Sequence, residues 1–334
     1  MTEPPLKPRI GFAYDSPPEE ETIGVESVAS EYEDARTIDW MYGCLSHLGE
    51  VIRLPWGRES LVSLVNNPVD VIFNITEAGG GRNRESFVPA AAEAMGIPCT
   101  GTDAVGLGIS LEKYLTKVIA SHHGIPTPPF LMAGSIEELD RRQAEIESLG
   151  YPLFVKPVTG GSSMGIRHSA RTTSFQSLRD ETAWILDFCR DAALIEAFVP
   201  GREFTVGLLE GDSLNCLPVA ELVFNGGNPD SFYSYDMKSV HRKQVVCPAE
   251  IPEELSLEME DYSRRIFNAL GCRDLARVDF RLGPDGTPMF IEINPLPGLS
   301  PFYSVFITQA EQAGIGAEDL IGQLVGNAIS RRAK

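Results

Sequence analysis

The densest chemistry in the chain lies between Ala276 and Gly298, ARVDFRLGPDGTPMFIEINPLPG, where two alternating runs flank the turn residues Pro284, Asp285 and Gly286. Such a pattern is a β-hairpin. With Asp285-Gly286 as a two-residue loop, Asp279 faces Glu292 and Arg277 faces Asn294 across the ladder. Period two then sends Val278, Phe280, Leu282, Ile291 and Ile293 into a core and gathers Arg277, Asp279, Glu292 and Asn294 on the other face. Two carboxylates directly opposite on one sheet face repel by roughly 0.2 to 1 kcal/mol, and by more once desolvated, unless a cation lies between them. A divalent metal answers this. Mg²⁺ is held by one or two carboxylates plus substrate phosphates, and Asn294 adds a neutral oxygen. The other reading of the same face is a solvated surface on which Arg277 pairs with Asp279.

Three further stretches carry polar groups in suggestive settings. A strand from Leu153 to Lys156 runs into Thr159 to Gly165, whose three glycines and two serines let backbone N–H groups converge on an anion. Lys156 precedes these glycines on a strand, so this is not a Walker A loop, and alone it could equally be a turn. After Asn74 comes ITEAGGGRNRE, in which Glu77, Arg82, Arg84 and Glu85 either hold an amino acid's ammonium and carboxylate or cap a flexible surface loop. The aperiodic segment Asn225 to Gln244 gathers Lys238, His241, Arg242 and Lys243 in an otherwise acidic chain, as a lid or a disordered loop would. Histidines fit poorly as catalysts or ligands: His122 and His123 are adjacent and face different sides of a helix, and His47, His168 and His241 lack ligand spacing.

The elements that must position these groups follow from pattern. Strands at Arg9 to Tyr14, Val51 to Leu54 and Val69 to Asn74 alternate with helices near Tyr32 to Leu48 and Glu59 to Val65, which implies a parallel sheet. Ligands of such sheets sit beyond the carboxyl ends of the strands. Helices follow at Arg84 to Met95 and Glu112 to His123, and a capping box at Ser135 opens another to about Leu149. Further on are a helix at Phe175 to Cys189, strands at Ala193 to Phe198, Glu203 to Leu209 and Leu217 to Phe224, and a helix at Glu253 to Leu270 before the hairpin. The fold class expected is α/β, becoming α+β in the C-terminal part. Its divisions are an N-terminal Rossmann-like domain over 1–110, a central unit over 111–195, and a C-terminal unit over 196–334 with a lid loop at 225–245.

Composition narrows the function classes. With 334 residues, 43% hydrophobic and 22% charged, the chain can build two or three full cores. A net charge of −19 argues against nucleic-acid backbones as partners, because binding there depends on Lys and Arg neutralising phosphates. The six cysteines have no CxxC spacing and suit reduced core thiols. Neither a signal peptide nor a membrane-length apolar run is present, so a cytoplasmic protein is expected.

Together these pieces suggest an ATP and Mg²⁺ site in which charge neutralisation does the catalysis, without a covalent nucleophile. FVKPVTGGSSMGI, LIEAFVPGREFTVGLL, ARVDFRL and FIEINPLPG, in that order, resemble the ATP-grasp fold, most closely its D-alanine:D-alanine ligase branch, over nearly the whole chain. The resemblance implies that ATP phosphorylates a carboxylate, an amine attacks the acyl phosphate, and an amide forms. It implies Lys117 and Lys156 on ATP phosphates, with Gly161, Ser162 and Ser163 closing over them. Backbone at Glu196, Ala197 and Val199 would read adenine, Glu203 would bind the ribose, and Lys238 would complete the site from the lid. Asp279, Glu292 and Asn294 match the Mg²⁺ ligands, the resemblance implying two ions with Mn²⁺ a substitute, while Arg277 and the Gly298 N–H match the oxyanion donors.

Departures from the family pattern touch the substrate side. Asn74-Ile75-Thr76-Glu77 stands where a His-Gly pair follows the third strand, Ser239 where a tyrosine follows the lid lysine, and Tyr303 where a serine holds the second substrate's carboxylate. Glu31 or Glu33 is expected to bind the first substrate's ammonium, and Glu77 and Tyr303 are further substrate candidates. Small amino acids or other small carboxylates and amines are the implied partners, with a homodimer as the assembly. Two alternatives compete: a nucleotide-binding sensor without turnover, which should lack a metal ligand or the arginine, and a two-lobed amino-acid-binding protein that takes no nucleotide.

Overall fold

A computed structural model describes residues 7–16, 32–77, 81–161, 165–224, 227–228, 230, 232 and 243–332. Strands β1 (Arg9–Tyr14), β2 (Glu50–Pro55) and β3 (Val71–Asn74) form a parallel sheet in the order β2-β1-β3. Strand order reverses at β1, so the loops leaving β1 and β3 diverge around a crevice where such sheets bind ligands. Those loops are tied together there. The Glu77 N–H, just after β3, donates to Asp15, just after β1, at 2.7 Å.

The helix Ala35–Leu48 begins where Asp34 accepts the Thr37 N–H at 2.6 Å, an N-cap that satisfies one of the helix's orphan donors. Its apolar face of Ile38, Met41, Cys44 and Leu45 packs into one cluster with Phe12 and Phe73 of the sheet. The same cluster takes in Leu299, Phe306, Ile321 and Val325 from the far end of the sequence. Packing thus carries the C-terminal helices Val305–Gln312 and Ala317–Arg331 onto the N-terminal sheet. The Thr37 and Ser300 hydroxyls meet at 2.8 Å across that junction.

Strands β4 (Phe130–Ala133), β5 (Leu153–Pro157), β6 (Arg171–Thr172) and β7 (Ala193–Ala197) form an antiparallel sheet in the order β4-β7-β5-β6. Alternation puts Leu153, Val155 and Ile195 in a core with Leu139, Leu178 and Ile185 and leaves Phe154, Lys156 and Glu196 for the opposite face. The third sheet holds β8 (Glu203–Glu210), β9 (Leu214–Cys216), β10 (Ala220–Phe224), β11 (Lys243–Val246), β12 (Leu275–Leu282) and β13 (Pro288–Asn294). Its order is β11-β10-β8-β12-β13, with β9 beside β8, all antiparallel. Phe204, Val206, Val278, Phe280, Phe290 and Ile293 bury one face of it against Met259, Ile266 and Phe267 of the helix Glu253–Ala269. One parallel and two antiparallel sheets are the α/β and α+β mixture that the sequence implies.

Several expectations are corrected. The hairpin loop has three residues: Gly283 N–H donates to Thr287 O at 2.8 Å, Gly286 N–H to Gly283 O at 2.9 Å, and Gly286 takes φ 84°. A left-handed residue closing such a loop is the usual role of glycine. The longer loop pairs Phe280 with Phe290, but the register then shifts, and Asp279 still pairs with Glu292 and Arg277 with Asn294. Ile291 is the extra residue of this bulge. In consequence Phe290, not Ile291, enters the core, and Ile291 is only partly buried.

Elsewhere, the helix Ala104–Leu111 was not expected, because Gly106 and Gly108 hide its periodicity; Asp103 caps it through the Gly106 N–H at 3.0 Å. The segment after Ser135 is two short helices, Ile136–Arg141 and Gln143–Glu147. Residues 243–245, expected within the lid loop, belong to β11 against β10. Among the described residues no helix is long and apolar enough to cross a membrane.

Candidate active site

A cavity of about 370 Å³ opens between the two antiparallel sheets and reaches the crevice of the parallel one. Phe154, Phe198 and Phe232 wall one end, with ring centroids 4.9 to 6.3 Å apart. Lys113, Lys156, Glu196 and Glu203 follow, then Arg277, Asp279, Glu292 and Asn294 of the hairpin. Glu33, Glu77, Gly298 and Tyr303 lie toward the N-terminal sheet.

Glu196 on β7 forms ion pairs with Lys117 at 2.8 Å through one oxygen and with Lys156 of β5 at 2.7 Å through the other. Exposure of the three side chains is 0%, 3% and 5% for Lys117, Lys156 and Glu196. Burial alone would raise the Glu196 carboxyl, but the two ammonium groups, Lys117 foremost, outweigh it and hold the carboxyl well below its usual range. Burial likewise lowers Lys117, with Glu196 opposing. Sequence reasoning placed both lysines on phosphates and used only the backbone of Glu196. The structure shows a Lys-Glu-Lys bridge in which Lys156 lines the cavity, while Lys117 is wholly buried and also donates to Thr127 Oγ1 at 2.8 Å.

Lys113 is a cation that sequence reasoning missed. It shares a buried helix face with Lys117, lines the cavity, and donates from Nζ to the Gly160 carbonyl of the glycine loop. The spacing of Lys113 and Lys117, four apart on one helix, was the available signal. Gly161, Ala197 and Val199 line the cavity too, although the Ala197 N–H is engaged by Pro129 O at 2.9 Å. Ser162, Ser163 and Lys238 lie outside the described residues, as do Glu31 and Ser239.

On the hairpin, Asp279 is 7% exposed and accepts Thr205 Oγ1 at 2.6 Å, Arg277 Nε at 3.0 Å and Arg277 Nη2 at 2.9 Å. Arg277 pairs with Asp279, but on a buried cavity wall rather than a solvated surface. Burial disfavours the Arg277 charge, while Asp279, then Glu292 and Glu77, raise its pKa above the ordinary arginine value. Beside them, burial pushes the Glu203 carboxyl up to about 7, against the pull of Arg281 at 3.8 Å and with added push from Asp279 and Glu292.

The donor set suits a hard cation. Among the described residues no three His, Cys, Asp or Glu side chains gather as a self-sufficient metal cage. Two carboxylates with the Asn294 amide oxygen instead match Mg²⁺ as it is held jointly with nucleotide phosphates. Of the roughly four lone-pair directions on a carboxylate, three of those on Asp279 are engaged, and the Asn294 Oδ1 accepts one bond, from Leu296 N–H at 2.9 Å. Both keep capacity for a metal.

Toward the N-terminal sheet, Tyr303 Oη donates to Glu33, and Glu33 Oε1 lies over Gly298. Burial raises the Glu33 carboxyl, and the phenol hydrogen bond opposes that rise. Glu77 faces the same cavity. Arg84 is buried and donates to Glu77 O at 2.9 Å and Thr159 O at 3.1 Å, and Arg82 pairs with Glu112 at 3.2 Å. Arg84 thus ties Glu77 to Thr159, where the sequence left open whether these charges hold a substrate or cap their own loop.

The D-ala D-ala ligase C-terminus family matches residues 119–326. A D-alanine–D-alanine ligase of Bordetella petrii is 32% identical over 280 residues, covering 82% of this chain and 81% of its own. One from Pelotomaculum thermopropionicum is 32% identical over 283 residues, covering 82% and 85%. In three dimensions the chain is similar to D-alanine–D-alanine ligase from Bacillus anthracis, with a TM-score of 0.77, 25% identity, and coverage of 97% and 98%.

Proposed function

This chain belongs to the D-alanine–D-alanine ligase family and has its ATP-grasp architecture, and from that premise we propose that it is an ATP-dependent ligase joining the carboxylate of one small amino acid to the amine of another through an acyl phosphate. One observation carries this: a single cavity collects the lysine-bridged Glu196, the Asp279 and Glu292 pair, and the Glu33 end. Nucleotide, metal and amino acids can then meet without leaving it.

In this reading Lys113 and Lys156 bind ATP phosphates, with Lys117 fixing Glu196 behind them and the glycine loop, including Gly161, Ser162 and Ser163, closing over the anion. Lys238 adds a contact from the lid. The edge Glu196 to Val199 takes the adenine, beside Phe154 and Phe198, and Glu203 takes the ribose hydroxyls. Asp279, Glu292 and Asn294 hold Mg²⁺, which when bound neutralises charge between the phosphates. Arg277 and the Gly298 N–H stabilise the oxyanion, a role worth about 3 kcal/mol per donor in other enzymes. Glu33, rather than Glu31, takes the first substrate's ammonium.

The three sheets support three units, although the expected bounds at 110 and 195 fall inside the helix Ala104–Leu111 and strand β7. A cytoplasmic homodimer is the proposed form. Phosphate release should be measured with ATP and Mg²⁺ over a panel of D- and L-amino acid pairs. Stimulation by small amino acids is expected, and no stimulation by any pair contradicts the assignment.

A further inference from the structure

We propose that Arg281 is a positioning residue for the nucleotide's sugar: it aims Glu203 at the ribose hydroxyls, so that a cross-strand Arg281–Glu203 pair tells ribonucleotides from deoxynucleotides. This rests on the nucleotide site proposed above and adds to it a residue placed on neither the phosphates nor the metal.

Arg281 is a buried cation on the cavity wall, 6% exposed, and the chemistry set out above gives it no part. Alternation along β12 puts Arg277, Asp279 and Arg281 on the cavity face and turns Phe280 into the core between the last two. Each step of two residues advances about 7 Å. The wall therefore has an order. Arg281 stands one step beyond the Asp279 and Glu292 pair, on the side away from Arg277, and its guanidinium lies 5.2 Å from the ring centre of Phe198 in the aromatic end.

A nucleoside triphosphate has an order too. A flat base stacks on aromatic rings, phosphates go to lysines and a metal, and the sugar joins the two. With the base among Phe154, Phe198 and Phe232 and the phosphates beside Lys156 and Asp279, the sugar falls at Arg281 and Glu203.

The sheet builds this pair. Arg281 on β12 is directly opposite Glu203 on β8, as Asp279 is opposite Thr205. Arg281 Nη2 donates to Gly201 O at 3.0 Å, so the guanidinium is fixed to the same stretch of chain that carries the carboxylate. Asp279 and Glu292 repel Glu203, and Arg281 is the strongest counter-charge on it. Arg281 Nη1 and Glu203 Oε2 are 3.8 Å apart, an ion pair too long for a hydrogen bond. The pair thus sets the direction of the carboxylate without taking up its lone pairs, and a sugar hydroxyl can donate to it.

Calorimetry on the full chain with Mg²⁺ compares ATP, 2′-deoxy-ATP and 3′-deoxy-ATP, with no amino acid added. Base, phosphates and metal are common to all three, so the Kd of the weaker deoxy analogue divided by that of ATP reads the sugar contact. A ratio of about tenfold or more is expected in the unsubstituted protein. Three equal affinities overturn the proposal, whereas no binding of ATP overturns the nucleotide site itself.

Arg281→Met keeps an unbranched side chain against Phe198 and removes the charge, and the ratio should fall to about threefold or less. Arg281→Lys restores a cation opposite Glu203 and should hold the ratio above about fivefold. A loss of affinity shared equally by ATP and both analogues in Arg281→Met, with the ratio unmoved, contradicts the assignment. Glu203→Leu tests the same link without removing the Arg281 bond to Gly201, and decides the question if Arg281→Met does not fold. Its ratio should also fall to about threefold or less, and a ratio left at about tenfold overturns the proposal.

Discussion

Asp279 and Glu292 stand directly opposite one another on β12 and β13, although the turn joining those strands is one residue longer than a two-residue hairpin loop. The bulge at Ile291 absorbs the difference. Without it Glu292 would slip one place and the alternation beyond it would invert, because side chains change face at every step. The bulge thus sustains the polar wall of the cavity and, through Phe290, the core beneath it.

Glu196→Gln leaves Lys117 and Lys156 buried without their shared counter-ion. Removing one partner of a buried ion pair costs roughly 3 to 5 kcal/mol, and the urea midpoint should fall accordingly. ATP should then raise the variant's melting temperature more than it raises that of the unsubstituted protein, since phosphates supply the missing negative charge. Equal shifts in both proteins would contradict the placement of these lysines at the phosphate site.

Glu203 makes stability depend on pH. Its folded-state value of about 7 lies above the ordinary 4.5, so the folded protein retains a proton that the unfolded chain releases. The resulting stability is full below about pH 4.5 and is lost as pH rises through about 7. Glu203→Gln removes this dependence. Relative to the unsubstituted protein, the variant should gain roughly 1 to 3 kcal/mol between pH 5 and pH 8. Thermal unfolding at the two pH values checks it, and a constant difference would be the contrary result.

Arg331→Ala should destabilise the chain without touching the site. Asp274 is wholly buried at φ 62°, and its carboxylate accepts Arg331 at 2.5 and 2.9 Å and the Gly101 N–H at 2.7 Å. Stranding that charge should cost about 2 to 3 kcal/mol, the partial exposure of Arg331 reducing the full buried-pair figure. Denaturant unfolding measures it, and a loss under about 0.5 kcal/mol would contradict the role given to this tie.

The pairing of Asp279 with Glu292 follows in the sequence from alternation and a two-residue loop, and it holds because the bulge at Ile291 offsets the longer turn. The bulge was not legible there, since Ile291 and Phe290 are equally apolar and only the packing of Phe290 under β8 and β12 decides between them. The helix Ala104–Leu111 escaped because two glycines lower its propensity, while Asp103 and close packing stabilise it: a Cβ on Gly106 would lie 2.4 Å from Thr102 and 3.1 Å from Leu270 O. Lys113 and the side-chain role of Glu196 escaped for another reason. Their partners, Gly160, Lys117 and Lys156, lie 40 or more residues away, a proximity that comes only from tertiary folding. Family resemblance singled out Lys117 and Lys156, but not that a glutamate bridges them.

On the proposed function, Asp279 and Glu292 hold a divalent metal together with a nucleotide. Calorimetry with a non-hydrolysable ATP analogue, with and without Mg²⁺, tests it most directly in the unsubstituted protein, Asp279→Asn and Glu292→Gln. Mg²⁺ is predicted to tighten binding about tenfold or more in the first and to lose that effect in both variants while they remain folded. An undiminished Mg²⁺ effect in both variants would contradict the account.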